Sequence, residues 1–512
     1  MMRYHSTRSK AQFVTASEAI LKGLADDGGL FVPECMPKFE EDFTAWAGKS
    51  YQEVAYEVMK LFLTDYTEEE LKLCINRAYD DKFDTKEIAP LREADGVWYL
   101  ELFHGPTIAF KDMALSILPH LMTTAAKKNG QKEEIVILTA TSGDTGKAAM
   151  AGFADVEGTQ IIVFYPKNGV SAIQERQMVT QKGANTHVVG IRGNFDDAQS
   201  GVKNMLSNRE LGEKLLKKGY RFSSANSINI GRLVPQVVYY VYSYVKLLEQ
   251  GVLTNGAPMN VVVPTGNFGN ILAAYYAKLL GVPVGKLLCA SNDNKVLYDF
   301  FQTGVYDKNR PLLLTTSPSM DILVSSNLER LLYHMTEDTD AVAAWMQALA
   351  GNGRYEISAA QRERLAVFDG GYANEAEVTK QIQALYEKTG YVIDTHTAVA
   401  AKVCEEQAEQ GITLVASTAS PFKFGKSVLE AVLPEAEQAE LNKMDDFAIS
   451  EKLSKVAKVA VPKAVTELQG APVLHNTVCA PEEMQAVVEK ILGEVEEWRL
   501  FYLENDIARA YN

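Results

Sequence analysis

The hydrophobic positions change period along the chain, and that change divides it. Up to residue 93 the spacing is that of amphipathic helices, and Ser50-Tyr51-Gln52-Glu53 and Thr67-Glu68-Glu69-Glu70 both resemble capped helix starts. Gly28-Gly29-Leu30-Phe31-Val32-Pro33 reads as a turn into a short extended piece. From Trp98 onward, apolar runs of strand length alternate with helical patterns. Strands are expected over 134–139, 160–164 and 186–189, with helices over 147–154, 171–181 and 196–208. Apolar strands separated by helices predict a parallel sheet covered on both faces.

A second series starts at Asn260-Val261-Val262-Val263-Pro264 and continues with a helix over 271–280 and strands over 287–291 and 411–416. Residues 331–385 are charged and helical in pattern and read as an insertion. The expected fold class is α/β, with two doubly wound, mostly parallel-sheet domains over 94–245 and 246–512. They are expected to face a ligand cleft and to follow a mainly helical domain over 1–93.

Composition narrows the function. The 512 residues carry 51 Lys plus Arg against 66 Asp plus Glu, a formal charge of -15, which argues against a nucleic-acid partner. Anionic small ligands stay open, because a few local groups bind them. Met1-Met2-Arg3-Tyr4-His5-Ser6-Thr7-Arg8 has no apolar core of a secretory signal, and no run reaches the roughly 18 apolar residues of a membrane span. Cys35, Cys74, Cys289, Cys404 and Cys479 are scattered without a CxxC, which suits buried thiols in a reducing cytoplasm better than disulfides or a metal site.

The candidate chemistry centres on Phe103-His104-Gly105-Pro106-Thr107-Ile108-Ala109-Phe110-Lys111-Asp112. Apolar neighbours and a following helix start both disfavour a charged amine, so Lys111 can serve as a nucleophile that forms a Schiff base with an aldehyde. A lysine snorkelling from an apolar loop fits the same residues. Thr265-Gly266-Asn267-Phe268-Gly269-Asn270, between strand and helix, reads as a phosphate cradle or as a plain tight turn. Ser142-Gly143-Asp144-Thr145-Gly146 has the same setting and reads as an anion site or a capped helix start. In Asn226-Ser227-Ile228-Asn229-Ile230-Gly231-Arg232, before an aromatic helix expected over 237–248, Arg232 is an anion clamp or a surface arginine. Asp394-Thr395-His396-Thr397 reads as a capping or packing histidine more readily than as a proton carrier. Ser417-Thr418-Ala419-Ser420 places hydroxyls after a buried strand. A desolvated lysine, a phosphate cradle and a strand-end hydroxyl together are what a protein needs to hold pyridoxal 5'-phosphate.

At these residues the chain resembles the threonine synthases of the tryptophan-synthase-β-like superfamily of pyridoxal-phosphate enzymes. His-Gly-Pro-Thr-x-Ala-Phe-Lys-Asp at 104–112 is similar to the cofactor-lysine signature, and Gly266, Asn267, Phe268, Gly269 and Asn270 resemble the phosphate loop. Tyr4-His5-Ser6-Thr7-Arg8 and the run from Ser171 to Met178 also look like family segments. The resemblance implies that Lys111 is catalytic and carries the cofactor. It further implies that Thr418 meets the pyridine nitrogen and that Ser142, Asp144 and Thr145 lie near the substrate and the cofactor. Ser142, Lys147, Asn226, Asn229 and Arg232 are the candidates, as cations and donors, for binding the substrate's phosphate. The implied activity is conversion of O-phospho-L-homoserine and water to L-threonine and phosphate, in a cytoplasmic monomer or homodimer with no membrane or nucleic-acid partner. A serine/threonine dehydratase, a phosphohomoserine lyase or a non-catalytic phospho-metabolite binder would share the cofactor residues or the cradle. One departure stands out: Ser420 and Phe422 occupy positions where the family has His and Ala.

Overall fold

A computed structural model of the chain describes residues 1–40, 42–141, 143–167, 169–170, 172–407 and 411–495. The described chain divides into two compact units, Met1–Ala125 with Asn226–Gln469, and Ala126–Ala225 with Gly470–Asn512.

In the first unit the expected caps form. Ser50 and Glu53 close a capping box on the helix Tyr51–Phe62, and Thr67 and Glu70 close one on Glu68–Ala78. Each satisfies helix-end amides that would otherwise have no partner. The N-terminal region is not helical throughout. Tyr4–Ser6 pairs antiparallel with Ser9–Val14 on one side and with Phe31–Pro33 on the other. The main sheet has the order Phe368–Tyr372, Val284–Ser291, Met259–Pro264, Ile412–Ser417, Val97–Glu101, Leu91–Ala94. All neighbours are parallel except the last pair, which is a hairpin. Met259–Pro264 is buried along its whole length, as its unbroken Val261-Val262-Val263 run predicts for a strand covered on both faces. The helix Thr395–Gln407 packs on four of these strands, Phe368–Tyr372, Val284–Ser291, Met259–Pro264 and Ile412–Ser417.

The second unit is an all-parallel sheet in the order Thr477–Cys479, Thr186–Ile191, Thr159–Pro166, Glu134–Ala140, Tyr220–Ser223. Its core joins Val189, Ile191, Val202 and Met205 to Met484, Val488 and Leu492 from the far end of the chain.

The α/β class and the strands in both series stand as expected, but three boundaries differ. The divisions at 93 and 245 are not those of the compact units, because Val97–Glu101 pairs with Ile412–Ser417, more than three hundred residues later. The 331–385 region is not wholly an insertion, because Phe368–Tyr372 is the edge strand of the first unit's sheet. A Cβ on Gly371 of that strand would lie 2.5 Å from Val403 Cγ1, so close packing demands the glycine. The stretch from Gly470 onward belongs with 126–225, because Thr477–Cys479 adds a strand there. Among the described residues no helix is long and apolar enough to cross a membrane.

Candidate active site

Lys111 is the first residue of the helix Lys111–Leu115, so the expected helix start is in place. The loop before it turns through Ile108, at φ 51°. Asp112 holds that turn, accepting from Thr107 N at 2.8 Å and from Thr107 Oγ1 at 2.6 Å. A Cβ on Gly105 would lie 2.6 Å from the Asp112 side chain. Burial raises the Asp112 carboxyl above the usual range, and the Thr107 bonds and Lys423 oppose that rise. The loop is stitched to the end of the central strand: Phe110 N donates to Thr418 O at 2.8 Å and Ser420 N to Ile108 O at 3.0 Å. Lys111 is half-buried, its nitrogen 5.6 Å from the Phe110 ring centroid, and it donates to Ser319 Oγ at 3.0 Å.

The same Ser319 touches the glycine turn. A Cβ on Gly266 would lie 2.6 Å from the Ser319 carbonyl oxygen, so only glycine lets these two backbones meet. The turn is braced from elsewhere in the sequence. Ser325 Oγ donates to Gly266 O at 2.7 Å, and Asn327 donates to Asn267 O from its backbone at 3.1 Å and its side chain at 3.0 Å. Phe268 is left-handed at φ 63° and heads the helix Gly269–Leu280 with no side-chain cap. Its ring packs against Phe301 and Phe368, which helps to offset the cost of that conformation. Among the described residues, no side chain takes the amides of Asn267, Phe268, Gly269 or Asn270. Asn270 is turned by two hydroxyls, those of Tyr239 at 2.8 Å and Tyr240, which donate to its Oδ1. Its buried Nδ2 makes no hydrogen bond among the described residues. An uncapped helix start and a buried donor without an acceptor form a cradle suited to a phosphate.

Arg232 and Asn229 lie at the start of the helix Ile230–Glu249. The helix expected over 237–248 starts seven residues earlier, behind the Asn229 cap, and takes Pro235 into its interior. Asn229 Oδ1 accepts from Gly231 N at 2.9 Å and its Nδ2 donates to Ile20 O at 2.9 Å. Its side chain therefore helps to hold the loop. Burial pushes the Arg232 guanidinium down to about 10, so it remains a cation at neutral pH. Asn327 ties this loop to the glycine turn by donating to Ser227 O at 3.2 Å as well. Arg330, fully buried, donates to Ile228 O at 2.6 Å, to Phe31 O at 3.0 Å and to Asn327 Oδ1. Ser420 Oγ accepts from Phe422 N at 3.3 Å.

The remaining expected residues belong to the second unit. Asp144 opens the helix Asp144–Phe153 and accepts from Gln174 at 3.2 Å, Thr145 follows it, and Lys147 Nζ donates to Gln181 Oε1. Ser142 lies outside the described residues. In the first unit the structure thus gathers Lys111, the turn 266–270, Thr418 and the Asn226–Arg232 loop through shared partners. Sequence reasoning missed Ser319, Ser325, Asn327 and Arg330, which sit in ordinary loop and helix sequence. His396, expected as a capping or packing histidine, accepts from Ser319 N at 3.1 Å.

Pyridoxal phosphate needs an amine for its aldehyde and a donor-rich turn for its phosphate, and both are present. Residues 84–415 match the family described as pyridoxal-phosphate dependent enzyme, so the class is that of pyridoxal-phosphate enzymes. Residues 3–79 match the threonine synthase N terminus. The chain is 38% identical over 461 residues to threonine synthase of Pseudomonas aeruginosa, covering 88% of this chain and 95% of that one. On that footing the chain belongs to the threonine synthase family. It is also 40% identical over 431 residues to threonine synthase-like 1 of Pongo abelii; the match covers 81% of this chain but spans only 58% of that relative's length. The crystal structure of PLP-bound threonine synthase from Brucella melitensis is similar with a TM-score of 0.82 at 35% identity, covering 96% of this chain and 99% of that one.

Proposed function

We propose that the chain converts O-phospho-L-homoserine and water to L-threonine and phosphate. One observation carries the reading: Ser319 accepts from Lys111 Nζ at 3.0 Å while its carbonyl lies against Gly266, so an amine and a phosphate cradle share a neighbour. The family membership and the similarity to enzymes named threonine synthase support it.

When bound, pyridoxal phosphate supplies an aldehyde for an amine and a ring that takes up the electron pair of the substrate's Cα–H bond. The turn 266–270 would hold the cofactor's phosphate through backbone amides and Asn270 Nδ2, and Thr418 would offer its ring nitrogen a neutral hydroxyl. Lys111 Nζ accepts the Cα proton, the role of a positioned general base. Arg232, a buried cation, and Asn226 of the same loop bind the substrate's γ-phosphate and stabilise the charge that grows as it leaves. Asp144, Thr145, Lys147 and Ser142 carry substrate- and cofactor-directed roles in this reading on the family resemblance alone. The enzyme is read as cytoplasmic, a monomer or homodimer acting on a small molecule. The buried free thiols of Cys74, Cys289, Cys404 and Cys479 are in keeping with a reducing compartment.

The test is to supply purified protein with pyridoxal phosphate and O-phospho-L-homoserine and to measure both products. Threonine and phosphate in equal amounts support the proposal. A 2-oxo acid without threonine would make the chain a dehydratase or lyase, and a colourless protein without turnover would make it a binder.

A further inference from the structure

A line of hydrogen bonds runs from a buried carboxylate to the Lys111 nitrogen. Asp394 is fully buried at the start of the helix Thr395–Gln407, where its Oδ1 accepts from Thr397 N at 3.0 Å. Its Oδ2 accepts from the His396 backbone at 2.9 Å and from His396 Nδ1 at 2.8 Å. With Nδ1 as the donor, His396 Nε2 is an acceptor, and it takes Ser319 N–H at 3.1 Å. Phe424 packs against the imidazole, ring centroids 4.8 Å apart. Thr395 Oγ1 ties the same helix start to Thr316 O at 2.7 Å, and Asn292 Nδ2 holds Ser317 Oγ at 3.0 Å. The segment leading into Ser319 is thus held at Thr316, Ser317 and Ser319 N, and the Ser319 hydroxyl takes Lys111 Nζ at 3.0 Å.

We propose that Asp394, His396 and Ser319 form a positioning line that aims the Lys111 nitrogen for covalent attachment of the cofactor. Capping the helix needs only the Asp394 carboxylate, and packing needs only an apolar ring at 396. Neither explains an imidazole whose tautomer is set by one partner and whose other nitrogen is spent on the backbone beside the lysine. A half-buried lysine has four rotatable side-chain bonds, and ordering it costs entropy at the moment of reaction unless a fixed acceptor has already ordered it. This inference rests on Lys111 being the cofactor lysine.

The experiment uses the full-length protein stripped of cofactor. The rate at which added pyridoxal phosphate is captured is followed by absorbance, and borohydride reduction with peptide mass mapping identifies the labelled lysine. Ser319→Ala is expected to slow capture about tenfold, the worth of one good hydrogen bond. Acetylation of Lys111 by acetic anhydride in the same stripped protein needs no aiming and is expected to change by less than about twofold. His396→Gln, whose side-chain oxygen can accept from Ser319 N–H, should retain most of the capture rate, while His396→Leu should lose as much as Ser319→Ala. The double variant Ser319→Ala/His396→Leu should be no slower than either single one, because both break the same line. Unchanged capture in Ser319→Ala, or fully multiplicative losses in the double variant, would overturn the positioning line while leaving the lysine assignment intact. A wild-type label on any other lysine would overturn the assignment and this inference with it.

Discussion

Two glycine turns in this molecule share one local grammar and are held by different means. Thr141 to Gly146 and Thr265 to Asn270 each lead from a buried parallel strand into a helix. In the first, the brace comes mostly from within: Thr141 Oγ1 accepts from Gly143 N and from Gly146 N, both at 3.0 Å. In the second, the braces come from Ser319, Ser325 and Asn327, and from Tyr239 and Tyr240 on another helix. The local brace takes two of the turn's amides, those of Gly143 and of Gly146 in the helix's first turn. The remote braces hold carbonyls and a side chain instead and leave the amides for a ligand. Similar motifs therefore say little about ligand binding until it is known which of their groups the rest of the chain has already engaged.

The contrast can be broken most forcibly at Lys111. If remote braces keep the turn 266–270 formed, Lys111→Ala should abolish borohydride-stable attachment and lower turnover by about 10³-fold or more, yet still bind pyridoxal phosphate reversibly. Loss of all binding in a spectroscopic titration would mean that the cradle depends on the covalent bond. Next in size, Gly266→Ala pushes a Cβ to 2.6 Å from the Ser319 carbonyl, a backbone atom that cannot rotate away. Overpacking of this kind costs about 1–3 kcal/mol, so cofactor affinity should fall roughly 10- to 100-fold. An unaltered dissociation constant would show that the close approach does not matter.

A third effect depends on pH. His104, between strand and lysine loop, bonds Glu101 through Nε2 at 2.9 Å and Asp84 through Nδ1. Burial disfavours its charge, but the two carboxylates outweigh burial and raise the imidazole to about 9. A group raised in the folded state adds stability that is fully present below its unfolded value near 6.5 and is lost as pH climbs through about 9. His104→Ala should therefore destabilise by about 2 kcal/mol at pH 6, a figure discounted for the exposed Asp84, and by much less at pH 10. A gap between the two proteins that stays constant from pH 6 to 10 in urea denaturation would refute the charged clamp. The smallest effect belongs to the locally braced turn. Thr141→Val removes the acceptor for two amides of this turn and should cost about 1 kcal/mol, seen as faster hydrogen exchange at Gly143 and Gly146.

The local information was sufficient for much of this architecture. Unbroken apolar runs such as Val261-Val262-Val263 announce strands covered on both faces, and Ser50/Glu53 and Thr67/Glu70 announce helix starts that formed as read. Lys111 at a helix start and glycines at a strand-to-helix turn were also legible, because backbone sterics and helix-end amides act within a few residues. Groups brought together from remote parts of the chain were not. The edge strand Phe368–Tyr372 hides behind two glycines whose purpose is contact with Tyr298 and Val403. The strand Thr477–Cys479 is three residues long and acquires its place only by pairing with Thr186–Ile191. Ser319 and Asn327 bear no signature, since a serine or asparagine in a loop looks the same whether it faces water or braces a lysine. Their roles were decided by tertiary packing, because a hydrogen bond across two hundred residues depends on where the fold delivers both partners.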